Sequence, residues 1–173
     1  VKTVSRTLLV IPHYRDSDRL RPFLRELMAG LPARFSVLVS EDGSGEEEAS
    51  RLRALLEEVS ASASAEGPQL LPPLMHQPNT GKGGAVIRGW DQGREEFSLL
   101  CFADADGAVG LSEILRAEAR MREPDAPQAL FGSRVKMLGR TVSRSLCRHL
   151  AGRVFATLVS MSAGSPAYDT QCG

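Results

Sequence analysis

The chain has 173 residues, of which 42% are hydrophobic and 24% are charged. This composition is close to that of ordinary globular domains and excludes disordered and fibrous classes. The length allows one domain but not two of full size. Lys plus Arg and Asp plus Glu number 21 each, which excludes a general electrostatic attraction to nucleic acid. Any anion must therefore bind at a local site.

Cysteine usage and hydropathy indicate the compartment. The three cysteines stand at positions 101, 147 and 172, which fits neither a disulfide framework nor a zinc site, and we expect a reducing, cytoplasmic environment. No apolar run reaches the roughly 18 residues that cross a bilayer, and the first residues lack a signal peptide. The chain starts without Met and ends on a polar cluster, so we expect a single domain over residues 1–173 that lacks a C-terminal piece.

Apolar runs alternate with helical periodicities in the first half of the chain. Residues 7–11 and 35–40 are short runs rich in β-branched residues, which are typical of strands buried on both faces. After each run, apolar residues recur at helical spacing, over residues 20–28 and 52–59. The pattern predicts two strands, each followed by a helix.

The later elements are less regular. Residues 70–75 predict a weak edge strand, because two prolines interrupt the run, and residues 97–103 predict a strong buried strand. Helices are predicted over residues 81–90, 111–122 and 140–161, and a short strand over residues 129–132. Strands that alternate with helices predict an α/β fold with an open, mostly parallel sheet flanked by helices.

Three acidic residues directly follow predicted strands: Asp42, Asp104 and Asp106. In open α/β sheets, ligands bind outside the carboxyl ends of the strands. If the strand stays extended through Asp106, the side chains of Asp104 and Asp106 lie on one face. Such a pair suits Mg²⁺ or Mn²⁺, which prefer a few carboxylates together with substrate phosphates. A solvated turn is the alternative interpretation.

Basic residues near the same edge suggest an anion site. Residues 79–84 read Asn-Thr-Gly-Lys-Gly-Gly, which supplies backbone N–H groups at a helix start and the cation of Lys82. The run is not a nucleotide-triphosphate loop, because Gly83 follows Lys82, and a glycine turn chosen for positive φ is the alternative. Arg134 follows a predicted strand and either neutralises a diphosphate or is an exposed surface residue.

A basic stripe occupies one face of the predicted helix over residues 140–161. Its arginines recur every four residues, at Arg140, Arg144 and Arg148. Such a stripe is either a solvated face or a contact for an anionic acceptor. The three histidines, His13, His76 and His149, share no spacing and are assigned no role.

Six short motifs follow one another along the chain. They are Ile-Pro-His-Tyr (11–14), Glu-Asp-Gly-Ser (41–44), Asn-Thr-Gly-Lys-Gly-Gly-Ala-Val (79–86), Asp-Ala-Asp-Gly (104–107), Gly-Ser-Arg (132–134) and Asp-Thr-Gln-Cys-Gly (169–173). Together they resemble the family-two inverting glycosyltransferases with the GT-A fold, and within them the polyprenyl-phosphate or dolichyl-phosphate glucosyl- and mannosyltransferases. The resemblance implies metal-dependent transfer of a sugar, from a donor of the UDP-glucose or GDP-mannose type to an acceptor. That acceptor is expected to be a polyprenyl phosphate at a membrane surface.

The resemblance also implies roles for single residues. Pro12, Tyr14 and Asp42 would border the base and ribose, and Asp104 and Asp106 would hold Mg²⁺ or Mn²⁺. The other implied donor contacts are Asp16, Ser40, Asn79, Lys82 and Ala105.

At the acceptor end, the resemblance implies that Arg134 contacts the diphosphate or the acceptor phosphate, with help from Arg144 or Arg148. Asp169 and Gln171 would lie near the sugar or acceptor. Asp169 is the candidate base if the acceptor is a hydroxyl, whereas a lipid phosphate is already anionic and needs mainly positioning.

Two other functions stay open. A sugar nucleotidyltransferase shares the architecture and the metal, but it is expected to carry a glycine-rich triphosphate loop where residues 12–15 read Pro-His-Tyr-Arg. A non-catalytic nucleotide-sugar binding module is the third interpretation. A peripheral membrane association through the basic face of residues 140–153 is also open. The sequence does not indicate the base, the sugar, the acceptor or the oligomeric state.

Overall fold

The computed structural model of the chain describes residues 6–132. Contacts divide the chain into two compact units, Val1–Ala126 and Pro127–Gly173, and every element below belongs to the first. The elements are β1 (Thr7–His13), α1 (Ser17–Gly30), β2 (Phe35–Asp42), α2 (Glu46–Ser62), β3 (Gln69–Leu70), β4 (Leu74–His76), α3 (Gly81–Gly93), β5 (Leu99–Phe102) and α4 (Leu111–Met121). Compact units are not by themselves separate domains, and the single domain over residues 1–173 stays a prediction.

The strands form one sheet with β1 in its middle. β1 pairs with β2 on one side and with β5 on the other, and β2 also pairs with β3 and β4. Every strand pairing in the described residues is parallel, which confirms the predicted fold class. In the order β3-β2-β1-β5, the chain first adds strands on one side of β1 and then places β5 on the other side. The carboxyl ends of β1 and β5 therefore lie at the topological switch point of the sheet, where open α/β sheets bind ligands.

Helices cover both faces of the sheet. Leu9 and Ile11 of β1 point into the large core that includes residues of α1 and α2. Leu8 and Val10 alternate with them and pack on the other face, in a cluster that includes Trp90 of α3. Because β1 and β2 are buried on both faces, their sequences read as continuous apolar runs without alternation.

Glycines allow α3 to approach β1 closely. A Cβ on Gly89 would lie 2.6 Å from Val10 Cγ1, and one on Gly93 would lie 2.4 Å from Leu8 Cδ2. The two glycines are four residues apart and thus share one face of the helix. This face is filled by the side chains of β1, which leaves no room for a larger residue.

Replacing Gly89 by Ala is expected to lower the free energy of unfolding by about 1–3 kcal/mol, as added methyl groups do in a filled core. Gly83→Ala is the matched control in the same helix, because a Cβ on Gly83 would meet nothing within 4 Å. There, Ala should raise stability by up to about 1 kcal/mol through its helix propensity. Urea unfolding followed by circular dichroism measures both, and equal effects would contradict the close packing of α3 on β1.

Several boundaries follow the prediction and two do not. The weak edge strand is confirmed as β3 and β4, which the prolines separate. β5, in contrast, ends at Phe102, and Gly107 N donates a hydrogen bond to Asp104 O at 3.2 Å. The chain therefore turns after Asp104, and the expectation that Asp104 and Asp106 share one face of an extended strand is wrong.

Residues 129–132 form no strand, which corrects the second prediction. Phe131 is 80% exposed, and no hydrogen-bonded neighbour in the described residues holds this short apolar run extended. The predicted helix over residues 140–161 lies outside the described residues. Among the helices that are described, none has the length and apolar character required to cross a bilayer.

Candidate functional site

The candidate site lies at the carboxyl ends of β1, β2 and β5, next to the first turn of α3. We call this edge of the sheet the rim. Hydrogen bonds and one ion pair connect the rim residues that the sequence singled out, and these residues are Asp42, Asn79, Lys82 and Asp104.

Asp42 anchors the loop that leads into α3. Asp42 is 2% exposed, and its Oδ1 accepts hydrogen bonds from Thr80 N and Thr80 Oγ1, both at 2.9 Å. Its backbone carbonyl accepts another from Asn79 Nδ2 at 2.7 Å. Gly43 has a φ of +75°, and a Cβ there would lie 2.9 Å from Asn79 N. The loop is thus fastened to the end of β2, and only glycine fits beneath it.

Lys82 connects this loop to the end of β5. Its Nζ lies 2.5 Å from Asp104 Oδ1 and 5.5 Å from the centroid of the Phe102 ring. The side chains of Lys82 and Asp104 are 49% and 22% exposed, so solvent reaches the pair. The glycine-rich loop and the acidic turn, which are separate motifs in the sequence, therefore meet in space.

Asp106 lies in the turn after β5. Its side chain is exposed, and its Oδ1 accepts a hydrogen bond from Ala108 N at 3.0 Å. Ala105, between the two acids, packs against the large core. Within residues 6–132 no group of three or more His, Cys, Asp or Glu side chains could hold a metal.

Two carboxylates are chemically sufficient as protein ligands for a divalent ion of the magnesium type. Such ions keep water and substrate phosphates as most of their ligands and need only one or two carboxylates from the protein. The ammonium of Lys82 beside Asp104 also shows that this carboxylate takes a cation. Asp104 and Asp106 are the residues that would hold the ion.

Tyr14 is presented to solvent at the end of β1. Its side chain is 46% exposed, and the Arg15 guanidinium lies 5.0 Å from the ring centroid. Arg15 has a positive φ of +52°, and its backbone N donates a hydrogen bond to Ser44 Oγ at 3.0 Å. Backbone strain of this kind concentrates at functional sites. Pro12 and Asp16, on either side, are both partly exposed.

Ser40 lies beneath the rim. Its hydroxyl is buried, donates to Ala85 O at 2.8 Å and lies 2.9 Å from His76 Nε2. The single hydroxyl proton is used by Ala85, so His76 Nε2 donates to Ser40. Burial lowers the pKa of His76, as does the nearby Arg88, which agrees with a neutral ring. This position gives Ser40 a role in holding α3 and β4 together.

The sequence analysis missed a buried cluster below Tyr14. His13 is 1% exposed, and its Nε2 lies 3.2 Å from Ser17 Oγ and 3.5 Å from Glu48 Oε1. His13 Nδ1 is buried and has no hydrogen-bond partner in the described part of the chain. Glu48 also accepts a hydrogen bond from Ser17 N at 2.9 Å. The cluster joins β1, α1 and α2, elements whose proximity no local spacing in the sequence indicates.

The free energy of unfolding should decrease as the pH falls below 6.5. Burial lowers the pKa of His13 from 6.5, although Glu48 and Glu41 oppose the shift. In this range the unfolded chain binds more protons than the folded chain, so stability rises with pH through the window and is complete above it. The stability lost between about pH 7.5 and about pH 5.5 should be smaller in His13→Gln than in the wild type.

The same measurement has an internal control. The pKa of Glu48 is lowered from 4.5, because hydrogen bonds from Ser17 and the charge of His13 outweigh the opposing effect of burial. Its protonation therefore lies below the window. The pKa of His76 is lowered, as that of His13 is. His76→Gln therefore measures how much of the pH dependence of stability comes from His76. An unchanged pH slope in His13→Gln would assign the effect to other groups.

The remaining predicted site residues lie outside the described residues: Arg134, Arg144, Arg148, Asp169 and Gln171. Their predicted roles at the acceptor end stay predictions.

The open, parallel sheet flanked by helices belongs to the fold class called GT-A. A mannosyltransferase from Pyrobaculum calidifontis, solved in complex with GDP-Man and Mn²⁺, has this fold. It aligns with a TM-score of 0.52 and 15% identity over 71% of this chain and 34% of that chain. At this identity the likeness concerns the fold alone.

Proteins similar in sequence identify the family of this chain more closely than the structural likeness does. A dolichyl-phosphate beta-glucosyltransferase of Trichomonas vaginalis is 31% identical over 180 residues, which cover 96% of this chain and 50% of the relative. The enzyme of that name from Saccharomyces cerevisiae is 27% identical, over 95% of this chain and 52% of the relative. No protein-family profile matches. The chain belongs to the family-two glycosyltransferases with the GT-A fold, and it spans about half the length of the curated relatives it matches.

Proposed function

We propose that this chain carries the donor-binding half of an enzyme that transfers a sugar from a nucleoside-diphosphate sugar to a polyprenyl phosphate. The observation that carries the proposal is the contact of Lys82 with Asp104 at the switch point of the sheet, which puts a cation and a metal-type carboxylate where a diphosphate would lie. The names of the sequence relatives support the polyprenyl-phosphate acceptor.

Different rim residues would contact different parts of the nucleoside-diphosphate sugar. The first turn of α3 offers backbone N–H groups, and Lys82 offers an ammonium, for the diphosphate oxygens. Tyr14 and the loop anchored by Asp42 border the base and ribose. A divalent ion held by Asp104 and Asp106 would supply the positive charge that stabilises the departing diphosphate.

The acceptor attacks the anomeric carbon from the face opposite the diphosphate, and this inverts its configuration. A lipid phosphate is already anionic, so Arg134 and Arg144 or Arg148 act mainly by positioning it. If the acceptor were a hydroxyl, Asp169 would take its proton. Asp169→Asn separates these routes, because a large loss of turnover is expected only where the carboxylate removes a proton.

Calorimetric titration of the full chain with UDP, GDP, UDP-glucose and GDP-mannose, each with and without Mn²⁺, tests the donor site. We expect metal-dependent binding of one nucleotide family. A folded chain that binds none of the four would contradict the proposal.

Transfer to a polyprenyl phosphate, measured with the donor that binds, tests the reaction. Sugar transfer without release of pyrophosphate distinguishes this enzyme from a nucleotidyltransferase. Binding without transfer by a longer form of the protein would instead favour a non-catalytic module. Salt-sensitive binding to anionic vesicles would indicate that the basic face of residues 140–153 approaches the membrane.

A further inference from the structure

Lys82 stands at an unusual place for a cation. It is the second residue of α3, and the positive end of the helix dipole disfavours a basic side chain in the first turn. The first turn of α3 contains no acidic residue. The positive charge of Lys82 is instead paired with Asp104, which follows β5.

The pair of Lys82 and Asp104 is easily broken. Both side chains are reached by solvent, and ion pairs that solvent reaches contribute little to stability. The Lys82 side chain is a flexible four-carbon stem. Gly81 and Gly83, on either side, face open space, since a Cβ on either would meet nothing within 4 Å. The ammonium contacts Asp104 and the face of the Phe102 ring, and the residues on either side of Lys82 leave its side chain room to move.

The ammonium and a divalent ion compete for the same oxygen. Lys82 Nζ lies 2.5 Å from Asp104 Oδ1, so the ammonium stands beside the oxygen that a divalent ion would also contact. Two cations cannot occupy that position together, because their charges repel. Asp104 is therefore more available to a divalent ion when the ammonium has another anion to contact.

We propose that Lys82 is an exchangeable counter-ion. It holds Asp104 in the free protein and transfers its ammonium to the diphosphate oxygens when a nucleoside diphosphate arrives, which frees Asp104 for the divalent ion. The inference rests on the proposed function and adds a coupling to it. The divalent ion alone binds weakly, and nucleotide and ion strengthen each other's binding by the same factor.

The test is the affinity of the full chain for Mn²⁺, measured by electron paramagnetic resonance of the free ion without nucleotide and then with saturating UDP or GDP. In the wild type we expect Mn²⁺ to bind about 5- to 150-fold more tightly when the nucleotide is present. In Lys82→Met, Mn²⁺ alone should bind up to about fivefold more tightly than in the wild type, because the ion pair that the ion displaces is weak. The coupling should shrink by about the same factor.

Two further variants distinguish competition between Lys82 and Mn²⁺ for Asp104 from an effect of the net charge of the protein. Lys82→Arg keeps a cation beside Asp104, so Mn²⁺ alone should bind less tightly to it than to Lys82→Met. Arg94→Met removes a cation from the other end of α3, where Arg94 lies 3.8 Å from Asp91, and should leave both Mn²⁺ affinities unchanged. Tighter Mn²⁺ binding in Arg94→Met as well as in Lys82→Met would overturn the exchange and assign the gain to net charge.

Failure of the inference is distinct from failure of the proposed function. If the wild type binds neither nucleotide even with Mn²⁺, the proposed function fails. The titrations with Mn²⁺ alone still decide whether Lys82 competes at Asp104, and equal affinities of wild type and Lys82→Met overturn that competition. Lys82→Gln repeats the test if Lys82→Met does not fold, as judged by circular dichroism.

Discussion

Asp104→Ala should weaken nucleotide binding in the presence of Mn²⁺ by at least about 100-fold, because loss of groups that only support a metal ligand already weakens binding about 10- to 100-fold. Asp104 lies in the turn that follows β5 at the switch point and bears the carboxylate to which Lys82 is paired. Calorimetry with the nucleotide that the wild type binds measures the effect.

For Asp104→Ala we expect the opposite result when no metal ion is present. Removing the carboxylate leaves Lys82 free to contact the diphosphate and removes a repelling negative charge. Binding of the nucleotide alone should therefore be unchanged or stronger. Asp91→Ala, an exposed carboxylate far along α3, is the control and should behave as the wild type. An Asp104→Ala chain that keeps metal-dependent binding would show that the ion is held elsewhere.

Asp42→Ala should lower the free energy of unfolding by about 1.5–3 kcal/mol, the usual contribution of hydrogen bonds to a charged group. The substitution deprives both donors of Thr80 of their acceptor. Asp42→Asn keeps an oxygen at the same position, so it should cost less than about 1 kcal/mol. Urea unfolding of both variants gives the comparison.

A double-mutant cycle identifies the partner of Asp42. Thr80→Val removes the hydroxyl bond and keeps the backbone N–H. If Asp42 acts through Thr80, the effects of Asp42→Ala and Thr80→Val should fall short of additivity. Full additivity, or equal losses in Asp42→Ala and Asp42→Asn, would contradict the anchoring of the loop by this carboxylate.

Local patterns were sufficient to locate most of the elements. β1 and β2 lie between helices on both faces, so their apolar runs were visible in the sequence. Residues 129–132 are also a short apolar run, although without β-branched residues, and they have no neighbouring strand in the described residues. A short apolar run therefore predicts a strand only where a pairing partner exists, and that partner comes from distant parts of the chain.

The candidate site was predictable in its members and not in its geometry. Asp42, Lys82 and Asp104 stand at ends of elements, and such positions follow from the pattern of strands and helices. The chain turns after Asp104, and Gly107 in this turn has a φ of +67°. The extended strand through Asp106, on which a shared face of the two acids depended, is therefore absent, and the alternative of a turn is the one observed. His13 and Glu48 were missed because burial and proximity, not spacing, define their cluster.

The sequence by itself determined the fold class and the polar residues at the carboxyl ends of the strands, because hydrophobic periodicity and chain punctuation are local properties. Only the tertiary structure decided which of these residues touch. The contact of Lys82 with Asp104 and that of Asp42 with Thr80 depend on the strand order around β1 and on the depth at which α3 packs. Both are set by long-range packing, which no short stretch of sequence contains.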